Sequence, residues 1–118
     1  MEENYYENKE GRIMIDIYET ENEFVILAPI AGVSAKDLEI TIKKDVLTIK
    51  GYRKIPAEVT KRVYLHRECF WGHFNRSIFL PHHLDPAKIK ARFINGLLII
   101  RIPKIKEEQI TLKPEEIQ

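Results

Sequence analysis

Apolar residues recur at every second position in several short segments of this 118-residue chain. Isoleucines alternate with other residues from Ile13 to Ile17, and residues 38–43 repeat the same period. Because successive side chains of an extended strand point to opposite faces, this period places an apolar row on one face of a half-buried strand. No window of about eleven residues has a helical period, and at most one helical turn is expected, at residues 85–88. The pattern therefore predicts an all-β sandwich.

Two short polar turns join pairs of predicted strands. Lys44-Asp45 separates residues 38–43 from residues 46–50, and Asn95-Gly96 separates residues 89–93 from residues 97–102. Asn-Gly is a strong hairpin signal because both positions tolerate the positive φ of a type I′ turn. Further strands are predicted at residues 24–28, 63–66 and 74–80. The segments at residues 24–28 and 97–102 are apolar on both faces, which predicts that they are buried inner strands.

The composition suits one compact domain and gives no electrostatic signal for a charged partner. Hydrophobic residues make up 44% of the chain, and 19 basic and 18 acidic residues leave a net charge of +1. These charges are scattered, so no surface for nucleic acid is indicated. No apolar run is long enough for stable membrane insertion or resembles a secretory signal, and the single cysteine, Cys69, excludes an internal disulfide. The expected location is cytoplasmic.

Three regions are predicted along the chain. Residues 1–11 contain four glutamates and only Tyr5 and Tyr6 as large apolar groups, so they are expected to form a short flexible N-terminal arm. Residues 12–104 contain the predicted strands and form the sandwich domain. Residues 105–118 are expected to form a charged C-terminal extension.

Two stretches in the C-terminal half carry a more specific pattern. The first stretch consists of Gly72, Phe74, Arg76, Ile78, Leu80 and Pro81. The second runs from Ala91 through the Asn-Gly turn and two aliphatic residues to a closing Pro103-Lys104. Together with residues 31–33, 37–40 and 46–51, these stretches resemble the signature strands of the small heat-shock protein (α-crystallin domain) family over roughly residues 13–112.

The resemblance implies an immunoglobulin-like β-sandwich and an ATP-independent chaperone. Such a holdase binds partly unfolded client proteins under stress and prevents their aggregation, with no catalytic residue and no cofactor. The absence of a phosphate-binding glycine motif agrees with action without nucleotide. The resemblance also implies homodimers that build a higher homo-oligomer. The alternative function is a dedicated protein-interaction or co-chaperone module on the same sandwich, similar to a CS domain.

A short motif in the extension resembles the family's C-terminal Ile-x-Ile/Val motif. Ile110 and Leu112 project to the same side of an extended segment, so they can enter a groove together. By resemblance this groove belongs to a neighbouring subunit and lies between the strands at residues 38–43 and 89–93. The alternative is that both side chains pack on their own subunit. The candidate groove residues are Leu38, Ile40, Ile42, Ile89, Ala91 and Phe93.

Residues 51–72 resemble the long loop that carries an edge strand into the partner's sheet in bacterial and plant-type relatives. That strand would comprise residues 64–66; the alternative is an ordinary flexible loop. Arg76 shares a strand face with apolar residues and needs an acidic partner, for which Glu68 is a candidate, or contact with water. Phe70 and Trp71 are candidates for either dimer packing or a client surface. The candidate dimer-interface residues are Val63, Tyr64, Leu65, His66, Glu68 and Arg76.

Histidine and cysteine residues suggest two further alternatives. His66, Cys69 and His73, with His82-His83 nearby, are possible zinc ligands. Their spacings of three and four suit a helix better than an extended segment, and no CxxC pair is present, so solvated or interface histidines are favoured. A Cys69 nucleophile lacks an orienting third group and an oxyanion site, so an enzyme is not predicted.

Overall fold

Seven strands in the described part of the chain form two antiparallel sheets. The computed structural model describes residue 11 and residues 13–56, 62–106 and 109–118. One sheet has the order β1-β2-β7-β6 and the other has the order β3-β4-β5. The all-β prediction is therefore confirmed. The strands are β1 (Asp16–Glu19), β2 (Glu23–Pro29), β3 (Leu38–Lys43), β4 (Val46–Arg53), β5 (Gly72–Phe79), β6 (Lys90–Ile94) and β7 (Leu97–Pro103), with short 3₁₀ helices at Ala35–Asp37 and Pro86–Lys88.

The core lies between the two sheets and is almost entirely aliphatic. The inner strands β2 and β7 pair along their whole length. Four of the seven residues of β2 and three of the seven residues of β7 are buried, and most of the others are half-buried. Each fully buried aliphatic side chain stabilises the fold by about 1.5–3 kcal/mol relative to exposure to water. The buried core residues are Ile13, Phe24, Ile26, Ala28, Ile30, Leu47, Ile49, Phe74, Ile78, Leu80, Leu84, Leu98, Ile100 and Ile102.

Both predicted turns are present in the structure. Asn95 and Gly96 have φ angles of 49° and 79°, and the flanking strands pair directly across them. Lys44 has a φ of 57° in the turn between β3 and β4. The carbonyl oxygen of Gly96 also accepts a hydrogen bond from the amide of Ile30 at 2.6 Å, which fixes the tip of the hairpin against the end of β2.

The first strand is shorter and less buried than the isoleucine pattern predicts. Ile13 is buried and Ile15 packs against the core, but β1 begins only at Asp16 and all four of its residues are exposed. The reason is that β1 is an edge strand paired only with β2, so Ile17 is not covered by a neighbour on its other side. The predicted half-buried strand from Ile13 to Ile17 is therefore seen only in part, since Ile13 and Ile15 face the core and Ile17 is exposed.

The predicted strand at residues 63–66 has no backbone partner in the described part of the chain. Its proposed partner is a second subunit, so pairing across a dimer stays a prediction. The N-terminal arm, apart from Gly11, lies outside the described residues, and so do residues 57–61 of the long loop and residues 107–108 of the extension.

Candidate functional site

An apolar groove runs between β3, which is an edge strand of the three-stranded sheet, and β6, which is an edge strand of the four-stranded sheet. The groove has a volume of about 500 Å³. Its floor contains no charged side chain, so it suits aliphatic groups that leave water rather than polar ligands. Of the six predicted groove residues, four line the cavity. The complete lining consists of Ile40, Ile42, Pro86, Ala87, Ile89 and Ala91.

The other two predicted groove residues, Leu38 and Phe93, are half-buried and pack against the core, and they are not among the residues that line the cavity. The sequence analysis did not identify Pro86 and Ala87 as groove residues. It predicted a helical turn at residues 85–88, but a single turn is too short for a hydrophobic period that would show which of its side chains face the groove. The turn is fixed because the amide of Asp85 donates to the carbonyl oxygen of Pro103 at 2.8 Å.

The aliphatic pair of the extension is exposed. Ile110 is 77% exposed and Leu112 is 84% exposed, so the alternative in which they pack on their own subunit is not seen. The root of the extension, in contrast, is held by backbone hydrogen bonds. The amide of Lys104 donates to the carbonyl oxygen of Asn22 at 2.9 Å, and the amide of Ile105 donates to the carbonyl oxygen of His83 at 2.8 Å.

Residues 62–68 expose aliphatic side chains next to an ordered polar cluster. Val63 and Leu65 are 87% and 97% exposed. Tyr64 accepts a hydrogen bond on its hydroxyl from Nε of Arg62 at 2.8 Å, and the guanidinium carbon of Arg67 lies 4.2 Å from the centre of its ring. Strongly exposed aliphatic side chains beside an ordered tyrosine are compatible with the predicted dimer interface, which stays a prediction.

Arg76 and Glu68 have different partners within this chain. Nη1 of Arg76 donates to the carbonyl oxygen of Ile13 at 3.0 Å in a half-buried position. Glu68 lies 3.1 Å from Nε2 of His66, and both side chains are exposed. The suggested Arg76–Glu68 pair is therefore not formed within the subunit, and a pair across a dimer stays a prediction.

Phe70 and Trp71 are partly buried rather than free on the surface. Phe70 lies directly against Gly11, where an added Cβ would be only 2.4 Å from its Cδ1 atom. Trp71 lines an open cavity of about 550 Å³ beside Arg53. Phe70 thus has a packing role within the subunit, whereas a client-binding role for either aromatic stays a prediction.

Arg53 is a positioning residue that the sequence analysis missed. Its Nε donates to the carbonyl oxygen of Ala31 at 2.8 Å, and its Nη1 donates to that of Phe70 at 3.2 Å. It therefore ties the segment after β2 to the loop that carries the candidate interface. Nothing in the sequence indicated these hydrogen bonds, since an arginine at the end of a strand is ordinarily solvated.

No group of three or more histidine, cysteine, aspartate or glutamate side chains suited to a metal ion occurs among the described residues. Two histidines instead lie near carboxylates: His83 is 3.0 Å from Glu19, and His82 is 3.8 Å from Asp45. Within the same described ranges, no helix is long and apolar enough to cross a membrane.

Residues 16–118 match the model of the Hsp20/alpha crystallin family. The chain belongs to this family. A relative from Rickettsia felis, "Small heat shock protein C2", is 41% identical over 100 residues, which cover 85% of this chain and 64% of that protein. "Heat shock protein HSP.16.4" of Streptococcus thermophilus is 32% identical over 86% of this chain and 72% of its own length. The match spans 64% of each of two Rickettsia felis relatives, so it leaves about a third of their length uncovered.

Solved structures agree with this assignment. A small heat-shock protein from Xylella fastidiosa, described as having a distinct high order structure, has a TM-score of 0.73 at 32% identity, over 93% of this chain and 97% of that one. Heat shock protein 16.0 from Schizosaccharomyces pombe has a TM-score of 0.72 at 29% identity, over 92% of this chain and 100% of that one. The sandwich is therefore an α-crystallin domain. The family consists of non-enzymatic chaperones, which confirms the prediction that the chain is not an enzyme.

Proposed function

We propose that this chain is an ATP-independent holdase that binds partly unfolded proteins and prevents their aggregation under stress. The observation that carries the proposal is an open apolar groove between two sheet edges, together with exposed aliphatic residues in the extension. An unfolding client exposes extended apolar segments, and such segments can occupy a groove of this kind or pair with a free strand edge. The single cysteine is compatible with the proposed cytoplasmic location.

The groove is proposed to receive Ile110 and Leu112 from the extension of a neighbouring subunit. Alternate residues of an extended strand lie about 7 Å apart on one face, so this pair matches the spacing of Ile40 with Ile42 and of Ile89 with Ala91. Ile110 follows Pro103 by seven residues, which span at most about 25 Å when extended, and this length is compatible with reaching an adjacent subunit.

One docked extension should bind weakly. Burial of two aliphatic side chains contributes roughly 3–6 kcal/mol, whereas ordering the backbone of several residues costs about 1–2 kcal/mol each. Many such contacts within one assembly add avidity. Individual extensions can therefore leave their grooves while the assembly persists, and each departure uncovers a groove for a client.

The building block is proposed to be a dimer in which residues 63–66 pair with an open sheet edge of the partner. The edges of β3 and β6 flank the groove, and the edge of β5 is bridged by Gly11, whose backbone bonds to His73 and Asn75. We assign the partner's segment to the edge of β1, which has neither a bridging residue nor the groove beside it among the described residues. Pairing there would cover a strand edge that otherwise invites aggregation.

The holdase proposal is tested by light scattering of a heat-destabilised client protein without nucleotide. Suppression of scattering at about one subunit per client supports the proposal. If a large excess of the chain leaves client aggregation unchanged, the holdase proposal is wrong and the interaction or co-chaperone module becomes the better interpretation.

The docking proposal is tested with Ile110→Ala/Leu112→Ala, measured as molar mass by light scattering after size-exclusion chromatography. We expect a shift from the assembly to dimers with no change in the unfolding of the domain, because both residues are exposed within the subunit. Thr111→Ala/Lys113→Ala is the matched control, since these side chains project to the other side of an extended segment. An unchanged mass in the aliphatic variant would contradict the docking.

The dimer proposal is tested with Leu65→Asp. We expect the dimer to dissociate at micromolar concentration, because a carboxylate would be buried at the interface without a partner. Phe79→Asp is the matched control, since Phe79 is also strongly exposed but lies on the outer face of β5. Equal behaviour of the two variants would remove the support for an interface at residues 63–66.

A further inference from the structure

The two rims of the groove differ in charge. Lys90 and Arg92 alternate with the inward residues of β6, so both project from the outer face of that strand, and both are exposed. Within the described part of the chain, neither has an ion-pair partner. The other rim, on the outer face of β3, carries Glu39 and Lys43, whose charges cancel. One rim is therefore cationic and the other is neutral.

The extension carries the complementary charge three and four residues beyond Leu112, after the cationic Lys113 and Pro114. Glu115 and Glu116 are exposed and have no ion-pair partner among the described residues. Pro114 lacks an N–H group, so it cannot donate a ladder hydrogen bond to a sheet edge. In the proposed docking, strand pairing is therefore weakened at Pro114, and the residues after it can turn onto a rim.

The distances allow this contact. Glu115 and Glu116 follow Leu112 by three and four residues, which span at most about 14 Å. Arg92 is the immediate neighbour of Ala91, a groove-lining residue, and Lys90 precedes it. A glutamate that leaves the groove beside Ala91 therefore has to cross only the width of one edge strand, about 5 Å, to reach the cationic rim.

We propose that Glu115 and Glu116 of a second copy of this chain bind the rim formed by Lys90 and Arg92 while the aliphatic pair of that copy occupies the groove. This inference rests on the proposed docking of the extension. It adds an ionic contact to an apolar one, and the two respond differently to salt. Exposed ion pairs weaken as salt rises, whereas apolar burial does not. Ionic strength would then regulate how often grooves are uncovered.

The expected effect follows from the exposure of all four charges. An exposed ion pair strengthens binding by roughly 1.5- to 5-fold, so two pairs give roughly a 2- to 25-fold tighter extension. Reversal of either pair of charges also introduces repulsion. A several-fold rise in the concentration at which the assembly half-dissociates is therefore expected at low salt, and a smaller rise at high salt.

The test is sedimentation velocity of the full chain across a range of concentrations, at low and high salt. Glu115→Lys/Glu116→Lys and Lys90→Glu/Arg92→Glu should each raise the half-dissociation concentration. The variant that combines all four substitutions restores opposite charges with exchanged positions, so it should return toward the original value. An unchanged midpoint in either double variant, or a combined variant no better than the doubles, would overturn the inference.

Two comparisons separate this inference from the docking on which it rests. Lys50→Glu/Lys54→Glu changes the net charge by the same amount as Lys90→Glu/Arg92→Glu, but at exposed positions on or just after β4. It should leave the half-dissociation concentration unaltered. If Ile110→Ala/Leu112→Ala dissociates the assembly while the charge reversals do not, the docking stands and the acidic contact is wrong. If the aliphatic variant also leaves the assembly intact, the docking itself is wrong and the inference fails with it.

Discussion

Gly51 occupies a position in the central strand β4 where a side chain larger than hydrogen does not fit. It lies between Leu38 of β3 and Phe74 of β5 in the sheet register. A Cβ atom added at Gly51 would lie 2.3 Å from Cζ of Phe74 and within 2.9 Å of two further ring atoms. The ring cannot move aside easily, because Phe74 is only 3% exposed and belongs to the core. We therefore expect Gly51→Ala to destabilise the domain.

The expected magnitude combines two opposing effects. Overpacking of a well-packed core costs about 1–3 kcal/mol. The smaller conformational freedom of alanine in the unfolded chain offsets about 0.4–1 kcal/mol of this. The net loss in the free energy of unfolding is about 1–2 kcal/mol, which corresponds to a melting temperature lower by roughly 3–10 °C for a domain of this size. Backbone strain makes no contribution, since Gly51 does not have a positive φ.

The assay is urea unfolding of the full chain, followed by the fluorescence of Trp71 at one fixed protein concentration, because assembly couples to stability. Phe74→Leu provides the internal control, since leucine lacks the three ring atoms that meet the added Cβ. The double variant Gly51→Ala/Phe74→Leu should lose about 1 kcal/mol less than the sum of the single losses. A neutral Gly51→Ala, or additive losses in the double variant, would refute the steric argument.

Three further perturbations test the contacts around the candidate interface and the groove. Arg53→Ala should increase hydrogen exchange in residues 62–71, because it removes two hydrogen bonds to backbone carbonyls that together stabilise the loop by about 1–3 kcal/mol. The control variant Lys54→Ala should leave this exchange unchanged, and equal exchange in both variants would contradict the prediction. Asn95→Ala should lower the free energy of unfolding by about 1 kcal/mol because of its positive φ, and Asn95→Gly should not; urea unfolding decides between these outcomes. Arg76→Ala should loosen the dimer, since the guanidinium holds the backbone at Ile13 near the β1 edge; unchanged mass and melting temperature would count against this.

The strands of the sandwich could be predicted from the sequence because each carries its own local signal. The alternation in β3 and the Asn-Gly turn before β7 depend on adjacent residues alone, and the structure agrees with both. The first strand was predicted only in part, because exposure depends on neighbours that the pattern does not contain. Ile17 has the same period as Ile13, yet it lies at a sheet edge where only one strand covers it.

The groove could be predicted only in part, for the same reason. Ile40 and Ile89 were identified because their strands resemble those of the family, and both line the cavity. Pro86 and Ala87 belong to a single helical turn, whose packing is set by a hydrogen bond from its preceding residue to β7. Arg53 was missed because its acceptors are backbone carbonyls 22 and 17 residues away in the chain, and carbonyls are present at every position.

The open edges and the proposed activity follow from one physical conflict. A free sheet edge beside apolar surface promotes aggregation, so it has to be covered, yet a chaperone has to offer apolar surface to its clients. A weakly docked extension resolves the conflict if client and extension compete for the same groove. Docking that is too tight would exclude clients from the groove. Docking that is too weak would leave the apolar grooves of different assemblies uncovered, so that the assemblies could aggregate. Ile110 and Leu112 are exposed within the subunit. In the proposed docking, their gain on burial is of the same size as the cost of ordering the extension, so we expect the strength of docking to fall between those limits.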